Sequence, residues 1–447
     1  MSNPDFLSTA AAGVEAALSA GADAAEAYVR SGTSIEIDVR DGGVDTIKSA
    51  AEKGLGLRVL RGRRIGFAYT TDLSGAGLTA VAQRAVANAG LTAEDEFFRL
   101  PEAPPGYPRV DTFDPEIPAK QIADKIGLAR RMEAAARAFD PRVTIVESAT
   151  YQDGTVEVGL ASSNGVSAYY LGAACGLYIA LTAREGDDHQ TGFAMDFRSR
   201  FAALDPETVG REAAERAVRM LGARPRKGLE MPVVFDPFVM VSLLGVLAPA
   251  LTAEAVQKGR SLFAGRVGER VASELVTIVD DGTLAGGVRA APFDGEGVPS
   301  SRTVLIEKGR LLGYLHNAYT AAKDGVASTG NGVRTSFKAG PEVGTTNFYL
   351  EPGDRSPGEI IGDISTGLYV GEVMGMHTAN PISGDFSVGA TGLWIEQGRL
   401  SYPVRGLAIA GNIRELLDAV DAVGRDLRFF GGKGAPTVRV AKLAVSG

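Results

Sequence analysis

Three histidines and one cysteine are the entire stock of imidazole and thiol ligands in 447 residues. His189, His316 and His377 lie far apart, none forms a local H-x-x-x-H pair, and no H-E-x-x-H string occurs. A single cysteine excludes an intrachain disulfide framework and any cysteine-built zinc or iron–sulfur cage. Cys175 lies in the apolar, strand-like string Gly172-Ala-Ala-Cys-Gly-Leu-Tyr, the setting of a buried inert thiol rather than a nucleophile. His189 follows Asp187 and Asp188 in a polar turn, His316 ends a short strand Tyr314-Leu-His, and His377 sits in the loop-forming string Met374-Gly-Met-His-Thr-Ala-Asn-Pro. Structural roles suit all three better than ligation.

Other chemistries fail on spacing. Gly384-Asp-Phe-Ser-Val-Gly is not a G-x-S-x-G elbow, and Ser387 with His377 makes no triad argument, since almost any chain offers such a pair. Gly431-Gly-Lys-Gly lacks the Ser or Thr that follows lysine in a phosphate-cradling loop. One region remains, the glycine-rich stretch between 328 and 392. Glycine at that density suits strands whose amides meet an extended peptide, and it equally suits plain tight turns. The residues leave both readings open.

The elements that must position these groups are legible in outline. At 45% hydrophobic and 22% charged residues the chain is an ordinary globular sequence with ample core. Its 46 basic against 54 acidic residues, with no basic stripe, make it a poor direct binder of nucleic acid. Met1 to Arg30 lacks a basic n-region and reads as an amphipathic helix, with helical period over 5–20. The longest apolar run, Phe238 to Leu251, is too short to span a bilayer and contains Pro249. A cytoplasmic protein off the membrane is the expectation.

Alternation predicts a strand at Ser34–Arg40, a hairpin joining 54–60 to 65–70, and a helix from an N-cap at Ser74 to about Ala89. The Pro-rich string Leu100-Pro-Glu-Ala-Pro-Pro-Gly-Tyr-Pro marks a boundary. Beyond it the pattern predicts a helix Pro118–Phe139 and strands near 143–149 and 154–161. An Asn164-Gly165 hairpin leads to strands near 166–184 and 190–197, and a helix near 206–222 follows. After Arg224-Pro-Arg-Lys-Gly the chain turns β-rich. Val304–Leu311 and Leu393–Leu400 each read as strand, glycine turn, strand within one sheet, and Asn412–Val423 as a late helix. The fold class is α+β with mainly antiparallel sheets. The expected units are 1–100 and 110–224, both small α/β layers, and a β-rich 229–447.

Several strings then resemble one family. Phe293-Asp-Gly-Glu-Gly-Val-Pro-Ser, Arg302-Thr-Val-Leu-Ile-Glu-Lys-Gly, Ser328-Thr-Gly-Asn, Thr346-Asn-Phe-Tyr-Leu-Glu-Pro-Gly, Asn380-Pro-Ile-Ser-Gly-Asp-Phe-Ser and Val423-Gly-Arg-Asp-Leu are similar to the TldD/PmbA (TldE) family. These bacterial and archaeal proteins are linked to peptide proteolysis and named in part as modulators of DNA gyrase. Weaker likeness, including Ala161-Ser-Ser-Asn-Gly-Val, extends over the first two units. In that family the TldD-like branch carries H-E-x-x-x-H on a helix and a C-terminal cysteine ligand, and the PmbA-like branch lacks them. Counting back from Lys258-Gly-Arg-Ser-Leu-Phe-Ala-Gly places the first histidine position on Leu244, the glutamate on Gly245 and the second histidine on Pro249. Phe429-Phe-Gly-Gly-Lys-Gly-Ala-Pro holds no cysteine. The departure matches the PmbA (TldE)-like branch.

The resemblance implies a subunit without its own zinc or other cofactor, paired with a TldD-like zinc subunit in a cytoplasmic peptidase for unfolded or extended peptides. A homodimer is a further possibility. His377, Asn380, Gly384, Asp385 and Ser387, from the densest motif, are the candidate substrate contacts, and no residue is assigned a catalytic role. Two alternatives are a non-enzymatic regulatory binder of the gyrase-modulator kind, acting through protein contacts, and a stand-alone hydrolase with an unrecognised site.

Overall fold

The computed structural model describes residues 4–447. The N-terminal helix α1 (Pro4–Ser19) matches the helical period over 5–20 and stops short of Arg30; residues 1–3 of the expected helix lie outside the described ones. Gly21 at φ 97° turns the chain away, and from Ala24 the residues alternate into a sheet. There follow β1 (Ala24–Arg40), β2 (Gly43–Arg61), β3 (Arg64–Thr70) and α2 (Gly75–Ala89). Ser74 caps α2 as its sequence predicts, accepting from the Gly77 N–H. Across the Pro-rich string come α3 (Glu116–Ala119) and α4 (Ile122–Phe139), the single helix expected there being interrupted by extended backbone at Lys120 and Gln121. Then follow β4 (Val143–Ser162), β5 (Ser167–Glu185), β6 (Asp188–Arg198) and α5 (Pro206–Val218). The two strands expected over 143–161 are one, because Gly154 stays paired with Ser34 on one side and Ala174 on the other. The Asn164-Gly165 turn does make a hairpin, with Gly165 at φ 83°.

These elements form one six-stranded antiparallel sheet, ordered β3-β2-β1-β4-β5-β6. It is built from two copies of helix-strand-strand-strand-helix, related across the β1–β4 pair. Gly66-Phe67-Ala68 on β3 and Gly192-Phe193-Ala194 on β6 occupy equivalent places. A Cβ on Gly66 would stand 2.0 Å from the Ala85 carbonyl oxygen of α2, and one on Gly192 would stand 2.3 Å from the Ala213 oxygen of α5. Both glycines are where a helix lies directly on the sheet. The period of two divides the faces. Ala25, Ala27, Val29, Ile37 and Val39 point to the helices, whereas Tyr28, Val158 and Leu160 point to Phe293 and Phe337 of the C-terminal unit.

That unit runs β7 (Arg224–Pro225), β8 (Leu229–Phe235), α6 (Pro237–Leu247), α7 (Ala253–Gln257), β9 (Ile278–Asp281), β10 (Arg302–Glu307), β11 (Arg310–Leu311) and α8 (Ala318–Asp324). It continues with β12 (Gly332–Val333), β13 (Glu342–Val343), β14 (Phe348–Leu350), α9 (Pro357–Gly362), β15 (Thr366–Met374), β16 (Asp385–Glu396) and β17 (Arg399–Asn412). It ends with α10 (Ile413–Asp418), β18 (Val420–Val423), β19 (Arg428–Phe430), β20 (Lys433–Ala435) and β21 (Val438–Ser446). One sheet has the order β18-β21-β8-β15-β16-β17-β7, and β21 also pairs with β17, which closes its middle into a barrel. A second has the order β11-β10-β9-β14-β20-β19. Antiparallel pairing predominates, so the α+β class holds. Helix α6, apolar on every side, belongs to the core cluster that joins the two sheets. Among the described residues no helix is long and apolar enough to cross a membrane.

Three local expectations are corrected here. The two similar hairpins sit in different sheets, β10–β11 and β16–β17, each turning through paired positive φ at Lys308-Gly309 and Gln397-Gly398. The late helix is only α10, because Val420, Ala422 and Val423 are buried as a strand against β21. Tyr314–His316 is not a strand, since Leu315 makes only an isolated bridge with Thr252.

Candidate functional site

The positions that the resemblance aligns with metal ligands lie at the end of α6. Asp236 caps that helix through the Phe238 N–H at 2.9 Å, and Pro249 turns its last residues into a 3-10 segment. Leu244 is fully buried in the core. Gly245 and Pro249 instead form one wall of a cavity of about 380 Å³. Thr252, Lys258 and Arg260 continue that wall, and Gly344, Thr345 and Lys433 close it from the other side. Lys433 Nζ stands 3.8 Å from where a Gly245 Cβ would be. Burial, then the neighbouring Arg289, push the Lys433 amine below its usual range. An aliphatic side chain, a glycine and a proline offer no metal donor, and an ammonium faces them. The residues do not fit zinc. Among the described residues no group of three or more His, Cys, Asp or Glu could hold a metal elsewhere.

The five candidate contacts gather around one loop between β15 and β16. His377 is exposed in the 3-10 turn Met376–Thr378. Asn380 folds its side-chain oxygen onto the N–H groups of Ile382 (2.9 Å) and Ser383 (3.2 Å). Asp385 accepts from the Ser383 hydroxyl at 2.7 Å and from Asn412 Nδ2 at 2.9 Å. Those bonds, Asn412 first, hold its carboxyl below the usual range. Gly384 at φ 83° is buried against Ile413, and Ser387 is exposed on β16. The loop is thus tied up by its own side chains, and none of the five lines the cavity at Gly245.

Three of the six quoted strings, those with Asp294, Asn331 and Thr346, converge instead on a buried polar framework. Asp280 accepts from Asn331 Nδ2 at 2.7 Å, and from the Thr346 N–H at 2.7 Å and hydroxyl at 2.8 Å. Asp294 accepts from the N–H groups of Glu296, Val298 and Gly332 at 2.7–3.0 Å. Glu296 takes the Ala318 N–H at 2.7 Å and Arg58 at 2.7 Å, and Arg58 in turn reaches Glu26 at 2.6 Å. Arg334 also binds Glu26. The buried charges Arg58, Glu26, Glu296 and Arg334 tie the first sheet to the C-terminal unit, and every oxygen of both carboxylates faces a donor.

The remaining reactive groups are equally quiet. Burial first, then Asp153 and other carboxylates, push the Cys175 thiol up to about 12. His316 is buried with its imidazole pushed toward neutrality by burial and its Nδ1 without a hydrogen-bond partner among the described residues. His189 is exposed at the start of β6. The residues that sequence reasoning missed are Arg260, Thr345 and Lys433 around the cavity. A signal for the last was present in Gly431-Gly-Lys-Gly, read above only as a failed phosphate loop.

Comparison with known proteins identifies the family. Models of the PmbA/TldA metallopeptidase match in three parts: domain 1 over 25–89, the central domain over 115–221 and the C-terminal domain over 228–447. The chain is 29% identical over 429 residues to metalloprotease PmbA of Escherichia coli, covering 95% of this chain and 92% of that one. It is 31% identical over 448 residues to a metalloprotease of Methanothermobacter thermautotrophicus, covering 94% and 95%. The crystal structure of TldE from Thermococcus kodakarensis superimposes with a TM-score of 0.91 at 27% identity, covering 97% of this chain and 99% of that one. Sequence, fold and the donor-free end of α6 thus agree, and the chain belongs to the PmbA/TldD metallopeptidase family, on its PmbA/TldE-like side.

Proposed function

We propose that this chain is the zinc-free, PmbA/TldE-type subunit of a two-component cytoplasmic metallopeptidase, paired with a TldD-like zinc subunit and acting on unfolded or extended peptides. The observation that carries the reading is the end of α6, where Leu244, Gly245 and Pro249 stand at the zinc-motif positions and Lys433 Nζ faces Gly245. A fixed cation there opposes a second one electrostatically. Metal-assisted hydrolysis, which polarises a carbonyl and activates water, then falls to the partner. This chain contributes enclosure and substrate contacts, for which the Asn380–Ser387 loop and the Gly245 cavity are the two candidate regions. An enclosure that admits only extended chains gives peptide selectivity without residue-specific pockets.

Co-purification with a TldD-like protein, zinc analysis of each chain, and peptide cleavage by each alone and together test the reading. Zinc only in the partner, with cleavage requiring it, is the expected result. Stoichiometric zinc in this chain, or cleavage by it alone, overturns the proposal. Binding to gyrase subunits with no peptidase partner recovered also overturns it, in favour of a regulatory binder.

A further inference from the structure

Of the three cations that line the cavity at Gly245, Lys433 and Arg260 lack counter-ions, whereas Lys258 has one. The Lys433 ammonium makes no hydrogen bond or ion pair with any described residue, and neither does the Arg260 guanidinium or the Thr345 hydroxyl. The one carboxylate in the wall, Glu254, is already paired with Lys258 one helical turn away. Half-buried charge without a partner is costly, and the weakened proton affinity of Lys433 reflects it. An anion beside Nζ would relieve both. The rest of the wall is apolar or small, with Ala248, Pro249, Ala255 and Val343. No run of successive free backbone N–H groups is offered beside Thr345, because the Gly344 N–H is used by the Asn331 carbonyl and the Thr346 N–H by Asp280. Two cations and one hydroxyl on apolar walls suit a single carboxylate better than a phosphate.

Through Glu254 and Lys258 this cavity shares its wall with a larger one of about 640 Å³, where Phe67, Phe98, Tyr319 and Pro341 alternate with Arg99, Lys323 and Glu342. Arg58 belongs to that second wall, and its buried Nε–H has no acceptor among the described residues. The pair therefore offers a charged terminus next to a larger chamber of mixed apolar and polar wall, with a spare donor suited to a carbonyl.

We propose that the Gly245 cavity binds the C-terminal carboxylate of an extended peptide, held by Lys433, Arg260 and Thr345, with the preceding residues in the adjoining larger chamber. The peptide as ligand rests on the proposed function. That reading is decided by complex formation and zinc content, which the binding series below does not touch, so either can fail alone.

The test uses the full chain and a five-residue glycine–alanine peptide with a fluorophore at its N-terminus, read by anisotropy. The peptide is supplied as the free acid, as the C-terminal amide, and as an amide ending in aspartate. One charge-assisted contact predicts that the free acid binds at least about tenfold more tightly than either amide. Lys433→Met and the exposed Arg260→Gln each remove most of that preference, and Lys433→Arg keeps it. Arg260→Gln serves where Lys433→Met fails to fold. Equal binding of acid and amide, an aspartyl amide as tight as the free acid, inorganic phosphate displacing the probe more strongly than unlabelled free acid, no binding at all, or an unchanged preference in both variants overturns the proposal.

Discussion

Arg58 Nη1 donates to Glu296 Oε1 at 2.7 Å across 238 residues of sequence, and both side chains are buried where the first sheet meets the C-terminal unit. The same guanidinium reaches Glu26 at 2.6 Å, so one arginine joins a carboxylate of each unit. Removing one member of a buried ionic pair costs about 3–5 kcal/mol, because the other is left desolvated and unpaired. Arg58→Met is therefore expected to lower stability by about that amount. Far-UV circular dichroism follows the whole chain through urea unfolding, and the fluorescence of Trp394, the sole tryptophan and a core residue of the C-terminal unit, follows that unit. The double variant with Glu296→Gln should recover part of the loss. A single-variant change under about 1 kcal/mol would show that the network does not couple the units.

The duplicated glycines give a second test, opposite in sign to the usual effect of glycine replacement. Gly66→Ala and Gly192→Ala each drive a methyl into a helix carbonyl, at 2.0 and 2.3 Å, so helix and sheet must part. Each should destabilise by about 1–3 kcal/mol. Gly127→Ala, inside α4 with nothing within 4 Å of its Cβ position, should instead stabilise by about 0.5–1 kcal/mol. Thermal melts of the three variants decide it. A neutral Gly66→Ala would mean that the helix yields freely.

Sequence reading succeeded where local chemistry decides and failed where tertiary pairing does. The Ser74 cap, the Asn164-Gly165 turn and the class of the fold follow from short-range rules. Val420–Val423 was read as helix because strand β21, which makes it a strand, lies beyond it in sequence. The duplication of the first sheet left one legible trace, the repeated Gly-Phe-Ala of β3 and β6, too short to weigh before the matching helix contacts are seen. The α6 positions were legible only through the resemblance, since Leu, Gly and Pro carry no chemistry of their own. Arg260, Thr345 and Lys433 could not be grouped from sequence, because the fold alone brings the α7 region, the β13–β14 connection and β20 to one cavity.

Cys175 offers a clean probe of the first sheet because it is the sole thiol. It is buried, its Sγ lies 3.6 Å from the Arg198 carbonyl oxygen, and its thiol is pushed up to about 12 by burial and nearby carboxylates. Thiolate is the reactive form. The native chain at pH 8 should therefore resist a thiol-specific chromogenic disulfide for hours and react fully in denaturant. Rapid labelling of the folded protein would show that the β5–β6 region opens locally.

Asp294 sets the expected pH dependence. Burial, then the adjacent Glu296, push its carboxyl from about 3.8 up to about 7, against three backbone N–H groups that pull it down. Between those values the folded state holds a proton that the unfolded chain has released. This group's contribution to stability is therefore full below about pH 4, falls as pH rises toward 7, and is level above. Asp294→Asn cannot titrate, and its amide nitrogen meets the Gly332 N–H donor, so its absolute stability drops while its pH profile flattens. The difference between the two profiles isolates Asp294, because every other group is common to both proteins. Urea midpoints measured from pH 4.5 to 8 should converge between the two proteins as pH rises. Parallel profiles would show that the folded carboxyl is already ionised at pH 4.5.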